Sequence, residues 1–495
     1  MPIATFSGLA SGIDSASLIE ALIAEKKKAR VQPLERQIAE LNQTNDALRE
    51  LKTKASQLRT AAQSLSALYG GPMFKKATST NTNVATATAS SNVSPSSYTL
   101  NITQLASVAS ATFNTSYNSN NDFLIPTIDD NLPDADRTIT ISFGQGSNQV
   151  TKHFVITSTT RVSDFLNQFN GDFSGLASAM LVNVGTGSNP IYRILIQGIK
   201  TGTAEGELTI SYSGSADPNL QSWVDNKILT QAQNLTFTMS GISGTITKSQ
   251  NSFSDVVSGL NVTVTDVGTT TINVTLDIEK IKEKVQEVVN KYNELVRFVN
   301  KQNQVTQRTN SQGELESRFG RLFSVKVDES LLERLRSKLA SIKAYDDPPP
   351  ANAKVMFLMD IGIKTTGKNE AGQQDGSLEF DPNGAIGNFF TALNDDPVGV
   401  KNLLDKLGTE LSSTTGILEE FIGFNKLIDN SINTNQSLIS NLERDLTSAQ
   451  KALLQEEENL RATFARLESL MGRLRSVQTS LAQALNSLPS SRNRG

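Results

Sequence analysis

The apolar residues near the end of the chain repeat with the spacing of a coiled coil. From Ile428 to Leu460 they recur in steps of four and three, and after one extra residue the repeat resumes at Phe464. This spacing places one apolar stripe on a helix and is typical of a seam between long helices. A helix from Ile428 to Leu488 would be about 90 Å long, so the pattern predicts a long helix that needs partner helices. The stripe comprises Ile428, Ile432, Asn435, Ile439, Leu442, Leu446, Ala449, Leu453, Glu456, Leu460, Phe464, Leu467, Met471, Leu474, Gln478, Leu481, Leu485 and Leu488.

Two other stretches have the same spacing and could supply those partners. One follows Pro33 and continues to Tyr69, with Asn45 on its stripe, and the other runs from Ile278 to Val299. Helices at the start, middle and end of the chain predict that the remaining residues are looped out of a single helical bundle. The alternative is an ordinary helical core with coincidental spacing, and the length and regularity of the repeats argue against it.

The N-terminal end of the chain begins without such an apolar repeat. Its first 13 residues are apolar or small and include two glycines, which disfavour a helix. Asp14 is a candidate N-cap for a helix that carries Leu18 and Leu22 on one side. Pro33 is expected to interrupt that helix and to make a hinge before the next one.

Between residues 73 and 276 the sequence predicts strands. Serine, threonine, asparagine and glycine dominate, and apolar residues alternate with polar ones in short runs separated by glycine- and asparagine-rich turns. Residues 162–169 predict one short helix. Together with the long helices, these runs predict an α+β fold in which a β-rich region is inserted into a helical bundle. The predicted strands lie at 84–88, 98–103, 138–143, 154–157, 192–197, 208–212, 235–239 and 271–276.

Composition excludes several classes of function. The formal net charge is only -4, which implies no strong attraction to nucleic acid or to an anionic membrane. Without cysteine the chain has no disulfide or thiolate, and its single histidine, His153, predicts an ordinary strand residue and no multi-histidine metal site. There is no run of 18 uncharged apolar residues and no signal-peptide pattern, so we expect no membrane span and an export route without a cleaved signal.

Two groups of residues could carry chemistry, and both are weak candidates. Residues 362–369 nearly match a phosphate-binding loop, but Asn369 stands where the pattern needs a serine or threonine to bind magnesium. The carboxylates of Asp375, Glu379 and Asp381 have no neighbouring nucleophile or histidine. We therefore expect no catalytic residue, no cofactor and no metal, and we predict that the protein is not an enzyme.

Both ends of the sequence resemble a known family. The run from Phe6 to Asp14, Phe-Ser-Gly-Leu-Ala-Ser-Gly-Ile-Asp, is followed by residues 18–25 and by Pro33-Leu-Glu, and this resembles the N-terminal signature of the hook-associated protein 2 family, the bacterial flagellar filament cap. Residues 98–106, 251–264, 277–296 and 464–474 also resemble motifs of that family. The resemblance covers about half of the chain and is weakest from Phe113 to about Gln231.

The resemblance implies a non-enzymatic assembly factor that is exported through the flagellar type III apparatus. It implies a ring of about five or six copies at the distal tip of the filament, outside the cell, which retains exported flagellin and promotes its insertion. The implied partners are flagellin, further copies of the chain, the hook-filament junction protein, a flagellar export chaperone and the export apparatus. No nucleic acid or membrane partner is expected.

The stripes and the resemblance together predict four regions. Residues 1–41 and 456–495 form a terminal coiled-coil leg, and residues 42–72 and 277–455 form a helical bundle domain. Residues 73–112 and 232–276 form an inner β-rich head domain, and residues 113–231 form an outer, variable one. The predicted leg and assembly residues are Phe6, Leu9, Ile13, Asp14, Leu18, Leu22, Phe464, Leu467, Met471, Leu474, Leu481 and Leu485.

Two other functions remain open from sequence alone. A flagellin-like axial protein or a hook-filament junction protein also has helices at both chain ends, although its terminal sequence motifs would differ. A secreted carbohydrate-binding adhesin or glycosidase could use the β-rich head. Glycan sites usually present exposed aromatic side chains, and the head contains one tryptophan, Trp223.

Overall fold

A computed structural model of the chain describes residues 14–186, 189–214, 216–309, 315–365 and 375–486. The chain divides into two compact units. The first, which we call the helical unit, combines Met1–Pro72 with Lys282–Gly495. The second, the β-rich unit, is continuous from Met73 to Ile281. None of the helices in the described ranges is long and apolar enough to cross a membrane.

The helical unit begins with two consecutive helices. Helix α1 spans Ser15–Arg30, and α2 spans Gln32–Gln63. Val31 separates them, and the proline at the start of α2 lies where its missing N–H costs no helical hydrogen bond. The predicted interruption near Pro33 is therefore confirmed.

Helix α2 ends earlier than the sequence predicted. The stripe was expected to continue to Tyr69, but the helix stops at Gln63 and a short 3-10 turn, Ala67–Tyr69, follows. The hydroxyl of Ser64 donates to the carbonyl of Ala61, and the hydroxyl of Ser66 accepts from the amide of Leu68. These local hydrogen bonds give the backbone an alternative to another helical turn.

The β-rich unit contains fifteen strands and three helices in its described residues. Every pairing among these strands is antiparallel. The strands are β1 Lys75–Ser79, β2 Ala85–Ala89, β3 Ser96–Gln104, β4 Val108–Phe113, β5 Thr138–Phe143, β6 Val150–Val155, β7 Ala177–Asn183, β8 Tyr192–Thr201, β9 Leu208–Tyr212, β10 Lys227–Thr230, β11 Leu235–Met239, β12 Ile246–Lys248, β13 Ser252–Phe253, β14 Leu260–Val264 and β15 Gly268–Leu276. The helices are α3 Val162–Asp172, α4 Thr203–Gly206 and α5 Pro218–Asp225.

Two separate hydrophobic cores hold this unit together. The first lies between the sheets β1-β15-β3-β11-β12 and β13-β14-β2 and uses residues from 84 to 106 and from 235 to 274. The second uses only residues from 109 to 232, which belong to the sheets β10-β4-β8-β7 and β6-β5-β9 and to their helices. Alternate residues of β3, β9 and β14 are buried, as expected for sheets with one covered face.

The rest of the helical unit follows the β-rich insertion. Its longest helix, α11, contains 60 residues and agrees with the sequence prediction to within a residue at its start. The elements are α6 Ile278–Gln302, β16 Val305–Thr309, β17 Leu315–Phe319, α7 Val327–Ser341, β18 Ile363–Lys364, β19 Glu379–Phe380, α8 Phe389–Asp395, α9 Pro397–Ser412, α10 Ile417–Ile422 and α11 Leu427–Asn486. The last predicted stripe residue, Leu488, lies outside the described residues.

The predicted stripe of α2 is the buried face of this bundle. Leu48, Leu51, Ala55 and Leu58 have no exposed surface, and α2 contacts α9, α10 and α11. Spacing of three and four residues keeps these side chains on one side of the helix, where each Leu contributes about 1.5–3 kcal/mol through burial. The α+β fold class predicted from the sequence is confirmed.

Candidate functional site

The long helix α11 packs antiparallel against α2 and then α1. Polar residues on the predicted stripes make contacts across this seam. In its centre the Nδ2 of Asn435 donates to the Oδ1 of Asn45 at 2.9 Å. An ion pair lies on each side of that amide contact: Lys52 with Asp429, whose Nζ and Oδ1 are 2.6 Å apart, and Lys26 with Glu456.

Up to Phe464, every stripe position of α11 is buried or half-buried. Ile428, Ile439 and Leu453 are buried, and the remaining positions from Ile432 to Phe464 are partly covered. The predicted heptad seam is therefore a real packing surface over this part of the helix, and the residues between the stripe positions are mostly exposed.

Beyond Phe464 the same apolar stripe faces solvent. The exposed fraction rises to 53% at Leu467 and 61% at Leu485, although the apolar repeat continues. We call this surface the exposed stripe. It consists of Leu467, Leu470, Met471, Leu474, Val477, Leu481 and Leu485.

The exposed stripe begins where the described part of its partner helix ends. Lys26 contacts Glu456, so in an antiparallel pair the start of α1 at Ser15 is level with about Leu467. Among the described residues, only Asp14 precedes α1. A solvent-exposed apolar surface of this length on a helix marks an interaction site.

The exposed stripe is wider than the seam that precedes it. Leu470 and Val477 lie beside the predicted positions Leu467 and Leu474, and both are more than half exposed. A strict seam uses two positions in each heptad, whereas an apolar face of three positions is typical of a helix that packs against more than one partner. Sequence reasoning missed Leu470 and Val477, although their seven-residue separation could have indicated them.

The predicted N-terminal residues have mixed environments. Asp14 caps α1, because its carboxylate accepts from the amide of Ser17 at 3.2 Å and from the hydroxyl of Ser17 at 2.6 Å, so the predicted N-cap is confirmed. Leu18 is 44% exposed and Leu22 is half-buried. The other three predicted residues, Phe6, Leu9 and Ile13, lie outside the described residues.

The Lys26–Glu456 ion pair gives the α1–α11 contact an electrostatic component. The hydrogen bond from Lys26 lowers the pKa of the Glu456 carboxyl, partial burial opposes this shift, and the charges of Lys26 and Arg30 add to it. Glu456 is a predicted stripe residue, so its place in an apolar seam is explained by this partner.

The weak chemical candidates form no site in the described residues. Gly362 precedes a two-residue strand instead of a helix, and residues 367–369 of the phosphate-loop resemblance lie outside the described ranges. Asp375 and Asp381 accept hydrogen bonds from the backbone amides two residues later, as turn carboxylates do. Across the described ranges, no group of three or more histidine, cysteine or acidic residues is arranged to hold a metal ion.

The single tryptophan is part of the second core of the β-rich unit. Trp223 is 4% exposed, stacks on Phe113 with ring centroids 3.9 Å apart, and donates its Nε1–H to the hydroxyl of Tyr117 at 3.0 Å. Burial raises the pKa of Tyr117 to about 12. Trp223 therefore stabilises the core and is not available as a stacking surface for a glycan. His153 is an ordinary residue of β6, as predicted, and its Nδ1 lies 3.0 Å from the hydroxyl of Thr140.

Comparison with known families identifies the chain. Sequence models of the flagellar hook-associated protein 2 N-terminus and C-terminus match residues 11–109 and 232–476, which together exceed half of the chain. The chain belongs to the flagellar hook-associated protein 2 family. This is the family of the flagellar filament cap, so the predicted family and the predicted capping function are both confirmed. Residues 110–231, which contain all of the second β-rich core except Ala109 and Ala232, lie outside both matches.

Individual relatives match over almost the whole chain. The A-type flagellar hook-associated protein 2 of Pseudomonas aeruginosa is 24% identical over 98% of both chains. The flagellar hook-associated protein 2 of Escherichia coli K12 is 24% identical over 96% of this chain and 97% of its own length. The crystal structure of the D1-D2-D3 domains of the Escherichia coli flagellar cap protein FliD aligns with a TM-score of 0.54 and 21% identity, covering 80% of this chain and 99% of that one. That structure supports the fold assignment.

Proposed function

We propose that this protein caps the distal tip of the growing flagellar filament as a ring of about five or six copies. The ring retains flagellin subunits that arrive at the tip and promotes their insertion. The exposed stripe of α11 is the surface that docks into the filament end. The four-region division predicted from the sequence belongs to this proposal, with the terminal leg carrying the stripe.

The observation that supports this role is the change of environment along a single helix. Before Phe464 the stripe of α11 is covered by α2 and α1, and from Leu467 onward seven apolar side chains are exposed. Burying a leucine side chain contributes about 1.5–3 kcal/mol. If these side chains become buried only at the filament end, their burial stabilises the docked state of the leg.

Family membership supports the remaining partners of this proposal. Flagellin and further copies of this chain are the proposed partners at the tip, and the hook-filament junction protein is a further proposed partner. An export chaperone and the type III export apparatus deliver the chain to the outside of the cell. Export in an unfolded state agrees with a sequence that has no cysteine and requires no disulfide to fold.

The proposal is tested by placing charge on the exposed stripe. The double variant Leu467→Asp, Leu474→Asp is expected to melt at nearly the wild-type temperature when isolated, because both side chains are already more than half exposed. In cells it is expected to release unassembled flagellin into the medium, because a buried, unpaired carboxylate costs several kcal/mol at each site on docking.

Ser469→Asp is the matched control, because Ser469 is exposed on the side of α11 away from the stripe. It should leave both filament growth and the melting temperature unchanged. Normal filaments in the double variant would contradict the docking role. A collapsed melting transition of the isolated double variant would instead assign the stripe to the folded core. Immunolabelling in the electron microscope tests the location directly and should show the protein only at distal tips.

A further inference from the structure

A buried carboxyl group that belongs neither to the stripe of α11 nor to that of α2 lies at the start of α7. Asp328 has no exposed surface. Its Oδ2 accepts a hydrogen bond of 2.6 Å from the Nδ2 of Asn303, which directly follows α6. Among the described residues, no lysine or arginine forms an ion pair with Asp328. A buried, ionised carboxylate without a cation is destabilising, so a protonated carboxyl group fits this site better.

Two buried oxygen atoms at this site have no hydrogen-bond partner among the described residues. The Oδ1 of Asp328 and the Oδ1 of Asn303 are both buried, and neither has a hydrogen-bond partner in the described part of the chain. An ionised carboxylate and an amide oxygen can only accept hydrogen bonds, so these two atoms cannot satisfy each other. A protonated Asp328 can donate from Oδ1 to the oxygen of Asn303, and the acid and the amide then share two hydrogen bonds.

We propose that Asp328 and Asn303 form a proton-dependent latch, which is closed when Asp328 carries a proton and open when it is ionised. The latch joins the end of α6 to the start of α7 at the base of the β16–β17 hairpin. Two backbone hydrogen bonds close the same base. The amide of Gly320 donates to the backbone carbonyl of Gln304 at 2.9 Å, and the amide of Leu322 donates to that of Gln302 at 3.2 Å.

The charged groups around Asp328 do not favour its ionised form. Burial raises the pKa of the Asp328 carboxyl more than the Asn303 hydrogen bond and the nearby backbone amides lower it, and the negative charge of Glu329 on the same helix raises it further. Lys326 lies two residues before Asp328, and Lys301 lies two residues before Asn303. On α10 and α11, which pack against α7, Glu420 pairs with Arg334 and Asp429 pairs with Lys52.

The direction of the pKa shift fixes the pH range in which the latch acts. The folded-state pKa of Asp328 lies above its ordinary value of 3.8. The stabilisation is therefore fully present below about pH 4, is lost as the pH rises through the folded-state pKa, and stays lost at higher pH. The hairpin base is expected to open more readily in neutral than in acidic solution.

The decisive variant is Asp328→Asn, because an asparagine supplies the missing N–H donor at every pH. At pH 8 the variant is expected to melt about 2–4 °C higher than the wild type, and the amides of β16 and β17 should exchange more slowly. At pH 4 the two proteins should behave alike. Comparison at equal pH removes the intrinsic pH dependence of amide exchange.

Glu333→Gln is the matched control, because it removes one negative charge from an exposed position of the same helix. Its melting temperature should differ little from that of the wild type, and this difference should not follow the titration of Asp328. A difference between Asp328→Asn and the wild type that is constant across pH would overturn the proposal. If the variant fails to fold, carbon-13 titration of the Asp328 carboxyl in the wild-type protein still decides, and a midpoint at or below 3.8 would overturn the proposal.

Discussion

At the scale of single residues, the seam between α2 and α11 contains one amide pair among apolar side chains. Asn45 is 1% exposed and its oxygen accepts from Asn435, while its own Nδ2 is buried without a partner in the described residues. Polar pairs at seam positions lower stability but restrict which helices can pack together and how.

Removing one member of this pair should cost more than removing both. Asn435→Leu leaves the Asn45 amide buried with no partner and is expected to lower the free energy of unfolding by about 1–3 kcal/mol. The double variant Asn45→Leu, Asn435→Leu should recover most or all of that loss, because two apolar side chains then meet. Denaturant unfolding measures both values.

Gln436→Leu is the control, because Gln436 is exposed next to Asn435. It should change the free energy of unfolding by a few tenths of a kcal/mol at most. A double variant that is less stable than Asn435→Leu alone would show that the amide pair stabilises the seam on balance.

Some residue roles could be predicted from sequence and others could not. Asp14 was recognisable as an N-cap because capping depends on residue type and on local spacing. The burial of Trp223 depends on Phe113 and Tyr117, which lie more than 100 positions earlier in the chain, and no local pattern reports such a contact. The orphaned atoms of Asp328 and Asn303 depend in the same way on how α6 and α7 pack.

At the scale of elements, the apolar period predicted α11 but not where its covering helix ends. Leu446 and Leu467 occupy equivalent stripe positions, yet Leu446 is half-buried and Leu467 is 53% exposed. Periodicity reports only which residues share a face. The length of the partner is set by α1, which begins at Ser15.

Several strands gave no clear signal for a physical reason. β4 and β7 contain alanine and serine at many positions, and these residues have low β propensity. β16 and β17 are rich in polar residues and form a two-stranded hairpin with no third strand. The strands that were predicted, such as β5 and β8, contain isoleucine at alternate positions.

The docking of α1 on α11 is expected to weaken in acid. The folded-state pKa of Glu456 is lowered, so its ion pair with Lys26 stabilises the contact above the ordinary carboxyl pKa of 4.5 and this stabilisation is lost as the pH falls through the folded-state value. Spin labels at Ala24→Cys and Asn459→Cys, which are both exposed and lie at the same level of the pair, should show a broader distance distribution below about pH 4 than at pH 7.

Glu456→Gln should give the broad distribution at both pH values, because it lacks the charge. Glu457→Gln, whose ion pair with Arg461 lies within α11, should behave as the wild type does. A narrow distribution for Glu456→Gln at pH 7 would show that apolar packing alone holds α1 in place.

At the scale of the whole molecule, the sequence predicted the plan of the chain and missed details of its cores. The apolar residues recur with a helical period of about 3.6 before residue 73 and after residue 276, and with a strand period of about 2 between them. This change predicts helices at both ends and a β-rich insertion. The pattern could not show that the insertion has two separate cores. That division depends on which distant strands pair, as when β10 returns to β4 across more than 100 residues.

The exposed stripe is proposed to become buried when the protein caps a filament. The chain contains no cysteine, so a single introduced thiol reports on one position alone. Leu474→Cys should react rapidly with a maleimide reagent in the isolated protein, because Leu474 is 57% exposed. On filament tips its labelling is expected to slow by at least about tenfold, since local opening of about 1.4 kcal/mol or more is then required.

Ser469→Cys, on the opposite side of the same helix, provides the reference for access to the tip. Its labelling rate should change little between the isolated protein and the capped filament. Slow labelling of Leu474→Cys together with fast labelling of Ser469→Cys at the tip is the expected result. Equal labelling rates of Leu474→Cys in the free and filament-bound protein would contradict it.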